Sequence, residues 1–506
     1  MGAEFFHDKI ILLDGAMGTV LQQRGLPPGG QPELLNLTDP ELLAGVYREY
    51  AEAGSQVVYA NTFGANALKL ARSGHTVPEV VTAAVKIARE AVAGRALVAL
   101  DVGPLGELLE PLGSLTFERA YGLFREMMAA GAAAGADLVA IETMTDLGEA
   151  RAALLAAKEN TALPVLVTMS FEESGRTFTG CTAASMARTL EGLGADAVGL
   201  NCSLGPDQLA PLLEELCENT RLPVAAKPNA GLPDPVDGHY GMGPEEFAAA
   251  LAPCLDLGVT VFGGCCGTSP AYIRRLRAAL EGARPAPRRY RGGGFVCTPV
   301  TPLHLEGVRV IGERVNPTGK KRLQQALLEE DLDYVLDVAA AQEEAADILD
   351  VNVGCPGVDE VSMLPRVVKK IQSAVSLPLQ LDSSNPDALE AALRVYSGKA
   401  AVNSVNGEAE SLRRVLPIVK KYGAAVVGLT MDQEGIPQTA EKRVEIARRI
   451  LEAALEHGIP REDVWIDCLA LTVSAQQDQA AETLRAIRTV REELGLQTVL
   501  GVSNIS

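Results

Sequence analysis

Residues 197–217 read AVGLNCSLGPDQLAPLLEELC. A short apolar run, Ala197 to Asn201, ends on a polar amide. A Gly-Pro turn at Gly205-Pro206 follows, then leucines at helical spacing. Strand, loop and amphipathic helix make one βα unit, the repeating piece of a parallel sheet. The pattern recurs on both sides. Strand candidates in the first half lie at 10–14, 57–60, 96–101, 138–142, 165–170, 197–201, 224–227 and 259–262. Eight βα units in one stretch of this length fit a (β/α)8 barrel, with a doubly wound sheet as the rival.

A composition break at 284–306 holds Pro285, Pro287, Gly292, Gly293, Gly294, Pro299 and Pro302, with Arg288, Arg289 and Arg291 among them. Pro and Gly at this density break helices and strands, so the segment reads as a linker. The count then restarts, with candidates at 308–312, 348–353, 379–382, 400–403, 425–430, 464–467 and 498–502. The expected fold is α/β: two TIM-type barrels in tandem, 1–283 and 307–506, the second ending after its seventh strand.

The chain has 506 residues, 45 Lys+Arg against 65 Asp+Glu, and a formal net charge of −20. That balance argues against nucleic acid, which needs clustered cations, and against an anionic membrane surface. No run approaches the ~20 apolar residues of a membrane span, and residues 1–8 show no leader pattern. Nine cysteines in a long chain suit a reducing compartment, so the expected location is cytoplasmic.

Three cysteines carry the strongest chemical signal. Cys202 follows the sixth strand candidate; Cys265 and Cys266 follow the eighth, in Phe262-Gly-Gly-Cys-Cys-Gly267. Loops after barrel strands share the C-terminal face, so the three sulfurs can meet there. Three thiolates with an open fourth position are a catalytic zinc arrangement. Gly263, Gly264 and Gly267 let adjacent cysteines turn toward one ion. The competing readings are small buried hydrophobes and a strained vicinal disulfide. A zinc held by three thiolates favours a thiol as fourth ligand and turns it into a nucleophile. The chemistry suggested is alkyl transfer to a thiol.

Other strand ends add polar groups on that face. Backbone N–H groups of Gly15, Ala16 and Met17, beside Asp14, suit a substrate carboxylate. Asn61 ends the second strand, and Glu142 ends the fourth with a carboxylate suited to an ammonium. Helix capping is the plain alternative for Asp14 and Glu142. In the second half Glu313, Asn316, Asn352, Asp382, Asn403, Asp467 and Asn504 occupy strand ends. Amides and carboxylates in this number, with Arg314 the one cation among them, suit a neutral heterocycle rich in donors and acceptors. A metal site and a layer of caps are the alternatives.

DGAMGT, ANTF, IET, GLNC and GGCCGT, in that order over roughly 8–283, resemble the homocysteine-binding barrel of the cobalamin-dependent methionine synthase family. GERVNPTG, DVNVG, LDSSNP, VNSVNG, IDCLALT and GVSN, from about 307 onward, resemble that family's pterin-binding barrel. The resemblance implies zinc on Cys202, Cys265 and Cys266, with homocysteine as fourth ligand. Asp14 to Met17 and Glu142 would hold its amino-acid end. Glu313, Asp382, Asn403, Asp467 and Asn504 would line the pterin, with Asn504 near N5. The implied reaction carries a methyl group from 5-methyltetrahydrofolate through cobalamin to the homocysteine thiolate, giving methionine and tetrahydrofolate. The family's cobalamin signature, Asp-x-His-x-x-Gly, is not matched; the nearest string, Asp237-Gly-His239-Tyr-Gly241, is one residue short. Cobalamin is therefore expected on a separate chain or a further region. Rival readings are a cobalamin-independent homocysteine S-methyltransferase using S-methylmethionine or betaine, and a non-catalytic folate- and zinc-binding protein.

Overall fold

The computed structural model describes residues 3–7, 9–27, 29–234, 238–471 and 477–502. The chain divides into two units, Met1–Arg291 and Gly292–Ser506. In the first, eight parallel strands alternate with helices: β1 (Ile11–Leu12), β2 (Val57–Tyr59), β3 (Leu97–Val102), β4 (Leu138–Met144), β5 (Val165–Met169), β6 (Ala197–Asn201), β7 (Val224–Lys227) and β8 (Val261–Phe262). The ladder runs β1-β8-β7-β6-β5-β4-β3-β2. Near-continuous aliphatic runs make these strands, because each is covered on both faces. Several helices between them start on side-chain caps, such as Thr76, whose hydroxyl accepts from Glu79 N while Glu79 accepts from Thr76 N.

One backbone and two side-chain hydrogen bonds close the remaining seam, between β1 and β2. Gln56 N donates to Leu12 O at 2.7 Å. Leu12 N donates to Gln56 Oε1 at 2.9 Å and Tyr59 N to Asp14 Oδ2 at 2.7 Å. Just beyond β1 the backbone runs close against neighbouring side chains at Gly15. A Cβ there would stand 2.6 Å from Thr268 Oγ1 and 2.9 Å from Tyr50 OH.

The barrel interior is layered. Ile11, Leu13, Val57, Tyr59, Ala99, Leu138, Ala140, Leu166, Ala197, Ala225 and Val261 form one buried apolar cluster. Two residues further along their strands, the inward stripe turns polar: Asp101 after Ala99, Glu142 after Ala140, Thr168 after Leu166, Lys227 after Ala225. That change marks the floor of the site.

The second unit opens with an antiparallel hairpin, β9 (Phe295–Cys297) and β10 (Pro302–His304). Seven parallel strands follow in chain order: β11 (Ile311–Val315), β12 (Ile348–Asn352), β13 (Leu379–Asp382), β14 (Ala401–Asn406), β15 (Ala425–Leu429), β16 (Val464–Asp467) and β17 (Gln497–Val499). This is an incomplete barrel of the TIM type. Val296 packs with Ile348, Ala401, Ala425, Val427 and Trp465, and Leu303 and Leu305 lie against the same cluster. Cys297 exchanges backbone hydrogen bonds with Lys399 at 2.9 and 3.1 Å.

The segment read as a linker, 284–306, is thus divided between the units. Its second part is the hairpin. Its first part lies on the first unit, where the Tyr290 ring sits between the guanidinium groups of Arg188 and Arg221, at 4.7 and 4.3 Å. The hairpin strands, three residues each between glycines and prolines, are too short to show a period. Strand β11 also starts later than the expected 308–312. Pairing begins at Ile311 opposite Ile348, and Val308 stands in solvent. No helix among the described residues is long and apolar enough to cross a membrane.

Trp465 is the largest side chain of the second core. Trp465→Ala should destabilise that unit by about 3–5 kcal/mol. Urea unfolding followed by circular dichroism should show the loss; a change under 1 kcal/mol would contradict this core assignment.

Candidate active sites

The fold brings the three predicted cysteines together. Their sulfurs all lie within 4.8 Å of one another, and Cys202 Sγ is 3.9 Å from Cys266 Sγ. Tetrahedral zinc with Zn–S near 2.3 Å needs sulfurs about 3.8 Å apart, so the donor set fits the ion. Cys265 is buried, and the other two are half-buried. The thiols share protons: hydrogen bonds from Cys202 and Cys265 hold Cys266 down at about 3, while the same bonding pushes Cys202 well up. Cys202 and Ser203 adopt left-handed backbone at φ 61° and 53°. Such strain persists where neighbours over-determine the conformation.

Those neighbours are residues 227–230, the last residue of β7 and the three after it. Cys202 N donates to Lys227 O at 3.2 Å, and Cys265 N to Pro228 O at 2.7 Å. Asn229 N donates to Leu204 O and Ala230 N to Cys266 O, each at 3.0 Å. One segment therefore holds both cysteine loops by their backbones. Asn229 is buried, and its Oδ1 accepts no hydrogen bond. Below the sulfurs, Asn201 Oδ1 accepts from Thr143 N and Thr168 Oγ1, both at 2.9 Å, and its Nδ2 lies 4.0 Å from Cys265 Sγ.

Asp14 and Glu142 meet at a residue absent from the predicted set, Lys227. Lys227 Nζ lies 2.9 Å from Glu142 Oε2, 3.9 Å from Asp14 Oδ1 and 4.0 Å from the centre of the Tyr59 ring. Burial raises Asp14 to about 7, with Lys227 pulling the other way. Burial also raises Glu142, and it lifts Asp101 well above the carboxylate range, helped by the charge of Glu142. Lys227 and Asp101 were both legible as polar residues two positions beyond an inward apolar one.

The other predicted residues of this half are placed differently. Ala16 N donates to Thr268 Oγ1 at 3.1 Å, and Ala16 O accepts from Tyr50 OH at 2.7 Å. Gly15 leaves room for both contacts, since a Cβ there would meet Thr268 Oγ1 and Tyr50 OH, and Met17 precedes the short helix Gly18–Gln23. The Asn61 amide donates to Pro32 O at 2.7 Å and to Asn36 Oδ1 at 3.2 Å, fastening the 32–36 segment.

In the second unit Asn352, Asp382 and Asn403 stand side by side in register, the first two at the ends of β12 and β13 and the third within β14. Asn352 Nδ2 donates to Asp382 Oδ2 at 2.9 Å. One layer deeper, Gln380 Nε2 donates to Asp350 Oδ1 at 2.6 Å. Burial and then the charge of Asp382 raise Asp350 to about 7. This Asp350–Gln380 pair is not in the predicted set; it too follows the period-two stripe. Asp467, raised by burial to about 6, accepts from Leu469 N at 2.7 Å. Arg443, fully buried, donates to Cys468 O and Leu469 O at 2.9 and 3.1 Å, and so fixes the loop beyond Asp467. Glu313 is exposed, and Asn316 Oδ1 caps a turn by accepting from Thr318 N at 3.0 Å. Asn504 lies outside the described residues.

Comparison with known proteins follows the same division. The family model for homocysteine S-methyltransferase matches residues 11–280, and that for pterin binding enzymes matches residues 312–506. The methionine synthase of Mycobacterium tuberculosis (strain ATCC 25618 / H37Rv) is 33% identical over 542 aligned residues, covering 99% of this chain and 45% of that protein. The methionine synthase of Mycobacterium leprae (strain TN) is 32% identical over 547, with the same coverage. The chain thus spans under half the length of these relatives. The metallated form of the homocysteine methyltransferase MmuM from Escherichia coli is 26% identical, with a TM-score of 0.47, covering 55% of this chain and 98% of that one. With more than half of its length matched by the first of these models, this chain belongs to the homocysteine S-methyltransferase family.

Proposed function

We propose that the chain carries the two substrate-binding barrels of a methionine synthase. The first binds homocysteine and the second 5-methyltetrahydrofolate, and the methyl group passes between them on cobalamin held by a separate chain or a further region. The observation that carries this reading is the cluster of three sulfurs at the mouth of a barrel whose floor holds Asp14, Glu142 and Lys227. The protein is proposed to work in the cytoplasm, where its thiols stay reduced.

Cys202, Cys265 and Cys266 would hold zinc, which supplies a substrate thiolate at neutral pH. The chain's own residues do the placing. Residues 227–230 keep the cysteine loops in position, and the floor groups receive the amino-acid end of homocysteine, so the sulfur is presented in one orientation. In the second barrel, the Asn352–Asp382–Asn403 row suits the donor and acceptor edge of a pterin. Glu313 and Asp467 are proposed at its sides, with Asn504 near N5, which must be protonated before the methyl group can leave.

Methionine formation from homocysteine and added methylcobalamin, with zinc measured on the same sample, tests the reading directly. Turnover should track zinc, vanish on chelation and return with added Zn²⁺. Bound zinc without turnover would overturn it. Cys202→Ala should abolish zinc binding and methyl transfer to homocysteine while leaving methyltetrahydrofolate affinity within twofold of wild type. Asp382→Asn should weaken methyltetrahydrofolate binding roughly 10- to 100-fold, as expected for loss of charged hydrogen bonds, and leave zinc content at wild-type level. Loss of both binding functions from either change would contradict two separate sites.

A further inference from the structure

Beyond residues 227–230 the loop after β7 brings a further side chain, Tyr240, back to the sulfurs. Tyr240 pairs with Pro233 as an antiparallel bridge, and Asp234 N donates to His239 O at 2.7 Å. Met242 N donates to Ala230 O at 3.2 Å, and Met242 O accepts from Tyr272 OH at 2.6 Å. Two residues past Tyr240, the chain is thus fastened both to the segment that holds the cysteine loops and to the helix Pro270–Ala279.

The Tyr240 ring lies against the backbone of Gly267, the residue after Cys266. A Cβ at Gly267 would stand 2.4 Å from Tyr240 Cγ, and Gly267 holds φ at +81°. Glycine is required there twice over, by the contact and by the left-handed backbone. Gly267 N donates to Thr19 Oγ1 at 3.3 Å, which holds the same point from the other side of the chain. Seated here, the half-buried Tyr240 hydrogen-bonds through its hydroxyl to the Cys266 sulfur. A phenol O–H has one hydrogen to give, and a thiolate can only accept it.

Three thiolates on a divalent ion leave one excess negative charge, and a substrate thiolate makes it two. Groups that hydrogen-bond to metal ligands orient them and set the electron density that the metal receives. We propose that Tyr240 is a positioning residue of the metal site: its hydroxyl donates to the Cys266 thiolate, draws charge from that sulfur and so steadies the bound ion. The Gly267 contact aims the ring for this bond. The inference rests on the reading of Cys202, Cys265 and Cys266 as a metal site.

The test uses the full chain with cobalt(II) in place of zinc, because thiolate-to-cobalt charge-transfer bands report electron density on the sulfurs. Tyr240→Phe keeps the ring and removes only the hydroxyl. Its bands should move to longer wavelength. Competition with a chromophoric chelator should show zinc bound roughly 10-fold more weakly, the usual cost of losing a hydrogen bond to a metal ligand. Gly267→Ala should move the bands the same way by displacing the ring, and adding Tyr240→Phe to it should move them no further. Circular dichroism checks the fold of each variant. Unmoved bands in Tyr240→Phe overturn the assignment, even with weaker zinc binding, since lost packing alone would weaken it. A further shift in the double variant overturns the role of the Gly267 contact. Wild type without thiolate bands overturns the metal site, and the proposed function with it.

Discussion

Asp14 belongs to the fold and to the site at once. One carboxylate oxygen closes the seam between β1 and β2 by accepting from Tyr59 N, and the other faces Lys227. A buried carboxylate is tolerated only when it is hydrogen-bonded or paired. The barrel supplies both, one from its backbone and one from the far strand β7. Gly15 passes where a Cβ would meet Thr268 and Tyr50, and Thr268, reached from the cysteine loop, receives Ala16 N. Closure of the barrel and assembly of the site therefore depend on the same few bonds.

The two barrel mouths manage buried acid differently. In the first, Lys227 stands among Asp14 and Glu142, so the layer carries its own cation as well as its excess of carboxylate. In the second, Asp350 and Asp382 are met by neutral amides, Gln380 and Asn352. Burial raises the carboxylates in both. A site with an internal cation and spare carboxylate suits an amino acid. A row of amides and acids suits a neutral heterocycle with N–H edges. The difference in chemistry follows from which residue sits two positions past the apolar layer.

Much of the fold was legible in the linear pattern. Aliphatic runs of four to six residues, each followed by a helical stretch, identify parallel strands by period and length alone. Strands β6, β7, β13 and β16 lie where the pattern placed them. The hairpin of β9 and β10 was not legible, because three-residue strands flanked by Gly and Pro carry no period and are held by contacts with distant Trp465 and Lys399. Cys202, Cys265 and Cys266 could be grouped from the sequence because barrel topology sends every post-strand loop to one face.

What the sequence by itself determined is the βα alternation, the two halves, and the set of polar residues available at strand ends, since these follow from local periodicity. Which of those residues act together was decided by tertiary structure. Asn61 and Asn316 have the same signature as Asn352, yet the first fastens the 32–36 segment and the second caps a turn. Lys227 reads as the end of a strand until Glu142, 85 residues earlier, is placed 2.9 Å away. Hydrogen bonds and charge pairs act over a few ångströms in space, and separation along the chain does not encode that distance.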